Sequence, residues 1–414
     1  GLNMNCKIAF LGLGVIGTEL LKQIKNNIEQ IKIEYNLNIE FGPILVRNLN
    51  KKRNIDITNL KLTTNYNDII NDKNIDIVFE CMGGVGSETT KYIVSNLISN
   101  GKKVIFSSKK CLATYGKEIL KIARLNSTEI RFEAAVGGCI PIIGFLEKNM
   151  KTEKTKKLFG LINASSNYIS SRMINDKFSY KESIKLAQDN GILENDVTED
   201  IQGYDCLYKL ILMYLVSESK WCSPSKFMLE KNISEIEKID IDILTNLGYK
   251  IKQFGVFDNT NVACTDYYIG LALFNTKSIF YNIDNDNCII GVSSTLSNNR
   301  YFIGKGAGAK PTASIMYDDF IDIINNKKMK LKDIQEYKCQ MNYYSDFYLS
   351  FSNDDSSIII IQLLEYYNLK YKILHKNEHK ISLLVKNTNF QEMKSIINNT
   401  KIDCLYIPII EEDI

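Results

Sequence analysis

Asp205 and Lys209 stand four residues apart in the apolar run YDCLYKLILMYLV (204–216), so on a helix they share one face. The run is apolar enough to be buried, and a partly buried lysine beside a carboxylate can have its pKa tuned for acid or base work. The same spacing also describes a structural ion pair on a solvated face, and spacing alone leaves both readings open. Lys109 follows the strand-like KVIF and two serines, Ser107 and Ser108, at the end of a strand where open α/β sheets bind ligands. A lone lysine on such a loop can equally be solvated. Upstream, Gly12-Leu13-Gly14-Val15-Ile16-Gly17 forms G-x-G-x-x-G directly after the apolar stretch CKIAFL (6–11) and before an amphipathic segment reaching about Ile28. That context is what a dinucleotide fingerprint demands. Gly12 permits the tight turn, Gly14 lets backbone approach a pyrophosphate, Gly17 allows close helix–strand packing, and the helix N-terminus faces the phosphates. The competing reading is a simple glycine turn.

The histidines narrow the chemistry further. His375 and His379 are the only two, both near the C-terminus in a polar stretch. A Ser-His-Asp triad, a Cys-His pair, an H-E-x-x-H zinc site or a His-based dehydrogenase is therefore excluded from the first 374 residues, unless the tail folds back. Acid–base work must come from Lys, Glu, Asp, Tyr or Cys. At the end of a second expected strand (39–46), where an NAD site would place an acidic residue on the ribose, stands Arg47, with Lys51, Lys52 and Arg53 close by. A guanidinium suits a 2′-phosphate and so NADP, although a solvated basic loop has the same composition. The stretch GKGAGAKPTAS (304–314) could cradle phosphate or simply turn the chain into the apolar helix that follows.

These residues need a scaffold. At 414 residues the chain calls for two or three domains, and 45% hydrophobic with 24% charged residues is a globular composition. A net charge of +3 argues against nucleic acid or an anionic membrane as partner, and no apolar run has the length of a membrane span. The 10 cysteines include no C-x-x-C pair, which argues against a zinc site. With no signal peptide evident, reduced thiols in a cytoplasmic protein are expected. Strands over 75–80 and 103–106 continue the alternation of a parallel α/β sheet. Residues 132–143 (FEAAVGGCIPII) read as strand, tight turn and re-entry, a crossing between domains. Residues 158–167 (LFGLINASSN) read as strand and then polar chain, before a helix over about 180–190.

Taken in order, these segments resemble homoserine dehydrogenase over about residues 6–325. GLGVIG is similar to the family's opening, and ILVRNLNKKR to its second strand. DIVFECMGG and GKKVIFSSKKCLATYG resemble the segments leading to its lysine. FEAAVGGCIPII, LINASSNYI, the run from Glu194 to Lys209 and GKGAGAKPTAS resemble the remaining blocks, and the Glu194 to Lys209 block is highly specific. The resemblance implies hydride transfer between L-homoserine and L-aspartate 4-semialdehyde with NADP or NAD, in threonine and methionine biosynthesis. It makes Lys209 the proton donor or acceptor at the substrate oxygen and Lys109 a second lysine between nicotinamide and substrate. Asp205 and Glu194 would hold the substrate's polar groups, and Ser107 and Gly308 would join the fingerprint and Arg47 at the cofactor. Backbone carbonyls of Glu133, Val136, Gly138 and Ile140 would match a sodium-like monovalent cation site.

The implied architecture is α/β: a Rossmann-type nucleotide domain (1–147), an α+β catalytic and dimerisation domain (148–335) whose last helix (about 311–325) returns to the nucleotide domain, and a small C-terminal βαββαβ ACT-like domain (336–414). A homodimer or homotetramer follows from the resemblance. In the tail, Asn353-Asp354-Asp355-Ser356-Ser357 stands where the module usually has a Pro-Gly turn. That speaks against threonine as a feedback effector and leaves a dimerisation or structural role open. Asn163-Ala164-Ser165-Ser166-Asn167 replaces a Gly-Thr-Thr motif, Val197 a usual proline, and Ser107-Ser108 an Ala-Asn. A related semialdehyde or alcohol substrate is the rival enzyme reading. A catalytically silent nucleotide-binding regulator is the rival from another class, opposed by the presence of Lys109, Glu194, Asp205 and Lys209 together.

Overall fold

The structure, a computed structural model, describes residues 4–149, 152–329 and 331–411. Its chain forms two compact units. One is built from the chain up to Lys154 with Ile211–Pro224 and Gly304–Glu336, the other from Thr155–Leu210, Ser225–Ile303 and the chain from Tyr337 onward.

The first unit holds a six-stranded parallel sheet. Its order across the sheet is Leu62–Thr63, Leu37–Leu45, Met4–Leu11, Ile75–Glu80, Lys103–Phe106 and Ile130–Arg131. Chain order reverses on either side of Met4–Leu11, which makes its carboxyl end the switch point where such sheets bind ligands. Ile8, Phe10, Val78, Phe79, Val104 and Phe106 are all fully buried, as expected where helices cover both faces of a parallel sheet. The helix Val15–Asn26 follows the first strand and buries Gly17, Leu20, Leu21 and Ile24, one stripe at helical spacing. Ala313, Met316 and Phe320 of the helix Ala309–Ile324 join the same core.

Sequence patterning misses local detail here. The fingerprint helix stops at Asn26, and a second helix, Ile28–Tyr35, follows it. Residues 132–143 do not re-enter as strand. After Ile130–Arg131 comes a 3-10 turn over Glu133–Ala135 and then the helix Ile142–Asn149. The Glu133 carboxylate accepts the amides of Ile143 at 2.7 Å and Gly144 at 3.0 Å, so a side chain caps the helix from ten residues upstream.

The second unit is organised on a ten-stranded sheet. Its centre is the antiparallel pair Tyr249–Asp258 and Thr265–Asn275, flanked by Thr155–Leu161. The polar stretch after Thr155–Leu161 is a helix, Ala164–Asn175, despite its serines and asparagines. Every residue from Ala164 to Ser171 is buried, and tertiary burial overrides weak helix propensity. The C-terminal segment runs Tyr344–Ser352, Ser357–Tyr366, Tyr371–Lys376, Lys380–Asn389, Phe390–Thr400 and Cys404–Ile409, the βαββαβ order read from its sequence. Its strands extend the central sheet through Leu273 and Ile409 of adjacent parallel strands. The α/β class, with a parallel nucleotide-type sheet and a separate mixed sheet, is the one the sequence implies.

Candidate active site

In the first unit, Gly12 turns the chain out of its strand at φ +95°, and a Cβ there would lie 2.5 Å from the carbonyl oxygen of Cys81. Only glycine fits both demands. Gly14 caps the helix Val15–Asn26 with no side-chain bond, no acidic residue sits in the first turn, and a Cβ at Gly14 would meet open space. The N-terminal amides are thus left to an anionic ligand, and the cradle fits a dinucleotide pyrophosphate. Leu13 and Gly17 are buried, Ile16 is half-buried, and Val15 is 74% exposed beside the cradle. Arg47 is exposed, and its guanidinium donates to the carbonyl of Gly84 at 2.6 Å, tying the end of the second strand to the glycine loop after Ile75–Glu80.

Lys109 is not on a loop. It is the first residue of the helix Lys109–Leu125, half-buried, with Ser108 as cap and Ser107 at the strand end. Ser108 occupies the cap position with no side-chain bond to the helix. Gly308, at φ +128°, starts the helix Ala309–Ile324 and likewise offers no side-chain cap.

Glu133, Val136, Gly138 and Ile140 fall in one buried turn of the same unit. The Glu133 carbonyl accepts the Val136 amide at 3.3 Å and the Ile140 carbonyl the Ile142 amide at 2.9 Å. Gly138, at φ +61°, lies where a Cβ would come within 2.7 Å of the Gly306 backbone. Burial raises the Glu133 carboxyl to about 7 and that of Asp319, which accepts the Glu133 amide, to about 8. Among the described residues no group of three or more His, Cys, Asp and Glu could hold a metal ion.

In the second unit Asp205 and Lys209 are buried, so the pair does not lie on a solvated face. Both side chains are 6% exposed, and Lys209 Nζ lies 2.9 Å from Asp205 Oδ2. The ammonium also donates to the carbonyl of Ile162 at 3.0 Å. Burial is the largest influence on Lys209 and pulls its pKa down. The Asp205 carboxylate, with Cys288 and Asp200, pushes harder the other way, so the lysine rests above its ordinary value.

Asn163, noted in the sequence only as part of a motif that departs from the family's, joins this pair. Its Oδ1 accepts the Ser166 amide at 2.7 Å, which fixes the amide's orientation. Its Nδ2 then donates to Asp205 Oδ2 at 2.8 Å and Asp200 Oδ1 at 2.7 Å. One neutral amide thus joins two carboxylates that face the same lysine. The available signal was an Asn directly after an apolar strand, a cap position, but nothing in the sequence shows what its amide meets. Glu194 is exposed, and its carbonyl accepts Gln188 Nε2 at 3.2 Å.

A parallel sheet of Rossmann order with an open phosphate cradle at its switch point defines a dinucleotide-binding protein. The comparisons name it further. Residues 12–133 match the family described as homoserine dehydrogenase, NAD binding domain, and residues 141–321 match homoserine dehydrogenase. The homoserine dehydrogenase of Bacillus subtilis is 31% identical, over 83% of this chain and 79% of that one. The crystal structure of a homoserine dehydrogenase from Thiobacillus denitrificans superposes with a TM-score of 0.88 at 26% identity, over 98% of each chain. A hyperthermophilic archaeal homoserine dehydrogenase in complex with NADPH shares the fold at TM-score 0.64 and 20% identity, over 80% of this chain and all of that one. The chain belongs to the homoserine dehydrogenase family. Its reaction is the oxidoreduction between L-homoserine and L-aspartate 4-semialdehyde, in threonine and methionine biosynthesis.

Proposed function

We propose that Lys209 is the acid–base residue of this reaction, and the buried Lys209–Asp205 pair at 2.9 Å is the observation that carries it. Hydride transfer itself belongs to the bound nicotinamide. In the reducing direction the Lys209 ammonium stabilises the developing alkoxide and gives it a proton; in oxidation the free amine takes the hydroxyl proton. Asp205 holds the lysine and, with the exposed Glu194, the substrate's polar groups. Lys109 supplies a second positive charge toward the nicotinamide from the first turn of its helix. Gly12 to Gly17, Ser107 and Gly308 receive the dinucleotide.

NADP is the proposed cofactor. Arg47 is exposed at the end of the second strand, where the ribose is recognised, and no acidic residue takes that position. The archaeal relative's complex with NADPH is consistent with this. The carbonyls of Glu133, Val136, Gly138 and Ile140 would hold a sodium-like ion, which a dependence of activity on added sodium at constant ionic strength would reveal. A homodimer, the family's implied assembly, is checked by sedimentation.

The deciding experiment follows nicotinamide absorbance with homoserine and each cofactor, for the wild type and Lys209→Ala. Asp205 keeps its bond to Asn163 in the variant, and because removing one partner of a buried pair costs about 3–5 kcal/mol, melting beside the wild type checks that the variant folds. The expected loss in kcat is at least roughly a hundredfold with nucleotide binding intact. A folded variant that retains full turnover refutes the role. Arg47→Ala in the same assay should weaken NADP use more than NAD use, and an unchanged preference removes Arg47 from cofactor choice.

A further inference from the structure

Glu80 ends the strand Ile75–Glu80 and is completely buried, an expensive place for a carboxylate without partners. Its side chain accepts hydrogen bonds from two loops at the carboxyl edge of the sheet. Oε2 accepts the Met82 amide at 2.7 Å and the Ser108 hydroxyl at 2.7 Å, and Oε1 accepts the Ser108 amide at 2.9 Å. Its backbone carbonyl accepts both the amide and the hydroxyl of Ser107, at 3.1 Å and 2.9 Å. One residue therefore ties the turn after its own strand to Ser107 and Ser108 after the next strand.

The partner helix explains why the residue is acidic. Lys109–Leu125 begins with Lys109 and Lys110 and has no acidic residue in its first turn, so two positive charges sit at the positive end of the helix dipole. Ser108 does not cap the helix with its side chain, because its hydroxyl is given to Glu80. From inside the unit the Glu80 carboxyl receives three donors at once, bonds that favour its ionised form against a burial that raises its pKa. Neutral glutamine cannot reproduce this, since its NH2 would face the Met82 or the Ser108 donors whichever way the amide turned.

We infer that Glu80 is a positioning residue for Lys109: through Ser107 and Ser108 it sets where the first turn of the Lys109 helix presents its ammonium to the bound nicotinamide. The inference rests on the role given above to Lys109. Glu80 is given no covalent step: completely buried, it acts through Ser107 and Ser108.

The test is a double-mutant cycle on the full-length enzyme, with Glu80→Gln, Lys109→Ala and the double variant assayed for kcat, for KM of cofactor and of homoserine, for NADPH binding by fluorescence, and for melting. Ser108→Ala, which deletes one of the three donors and keeps the carboxylate, runs alongside in case Glu80→Gln does not fold. The expected result is a kcat lower by roughly 10- to 100-fold in Glu80→Gln, the scale of a small misplacement. Its KM for cofactor should be little changed, and adding it to Lys109→Ala should cause no further loss. Ser108→Ala should show the same dependence on Lys109 with a smaller loss. Losses that multiply in the double variant overturn the inference while leaving Lys109 its role. An unchanged kcat in Glu80→Gln or, if that fails to fold, in Ser108→Ala overturns it as well. Full activity in Lys109→Ala removes the Lys109 reading, and the inference falls with it.

Discussion

Lys209 shows how a residue's environment decides its use. Burial alone would favour the free amine, yet the Asp205 carboxylate and its neighbours outweigh burial and hold the ammonium. A lysine held above its ordinary value is protonated through neutral pH, which suits proton donation in the reducing direction. Homoserine oxidation needs the free amine, so its kcat should climb with pH into the alkaline range, about tenfold per unit below the lysine pKa. Asp205→Asn removes the negative charge, leaves burial dominant, and should move that limb to lower pH. A pH–rate profile of the variant measures this, and a limb that stays in place or moves up contradicts the assignment. Asp205 and Lys209 were legible from their spacing in an apolar run. Asn163 was not, because an amide acquires its role only from the partners that folding brings to it.

At the scale of elements, buried charge recurs away from the active site. Lys252, on the strand Tyr249–Asp258, is 2% exposed and pairs with Asp284 at 2.8 Å, while half-buried Lys250 reaches the same carboxylate at 2.9 Å. Burial is the main cause that lowers Lys252 to about 8, against the pull of Asp284. The two partners should therefore respond unequally to mutation. Lys252→Met leaves Asp284 paired with Lys250 and should change stability by about 1 kcal/mol or less, because an apolar side chain replaces a costly buried charge. Asp284→Ala strands Lys252 and should cost about 3–5 kcal/mol. Urea unfolding measures both, and equal losses would show that the pair, not the stranded lysine, carries the energy. The elements themselves were readable where period and punctuation were strong, as in Ile75–Glu80 and Lys103–Phe106. The helix Ala164–Asn175 was not, since its polar residues are buried by tertiary contacts that periodicity cannot show.

For the molecule as a whole, the C-terminal βαββαβ segment is built into the second unit. Its strand Cys404–Ile409 lies beside Thr265–Asn275, and Tyr348 and Lys380 bond the buried carboxylate of Asp240 at 2.8 Å and 2.9 Å. Ending the chain at Glu336 would uncover a sheet edge and leave Asp240 without those partners. Such a chain loses Tyr348, Leu405, Ile407 and Ile409 from the core of the unit and should melt roughly 10 °C below the full-length protein. Melting within a degree or two of the full chain would mean that the segment is an independent appendage. Among the described residues no helix is long and apolar enough to cross a membrane, in keeping with the hydropathy of the sequence.

What could be read from residues alone was whatever depends on neighbours in sequence. The fingerprint is local, since a turn, a phosphate cradle and a helix start all lie within Gly12 to Gly17. The Asp205–Lys209 pairing is local because helical geometry places residues four apart together, and the two histidines, both near the C-terminus, leave the first 374 residues without imidazole. Tertiary structure decided what depends on burial and on distant partners. It buried the Lys209–Asp205 pair instead of leaving it solvated, and it turned Asn163 toward two carboxylates. It also joined Glu80 to a loop that begins 27 residues further on. A hydrogen bond between remote residues leaves no period in a sequence, and a pKa depends on every charge and dipole that folding assembles around the group.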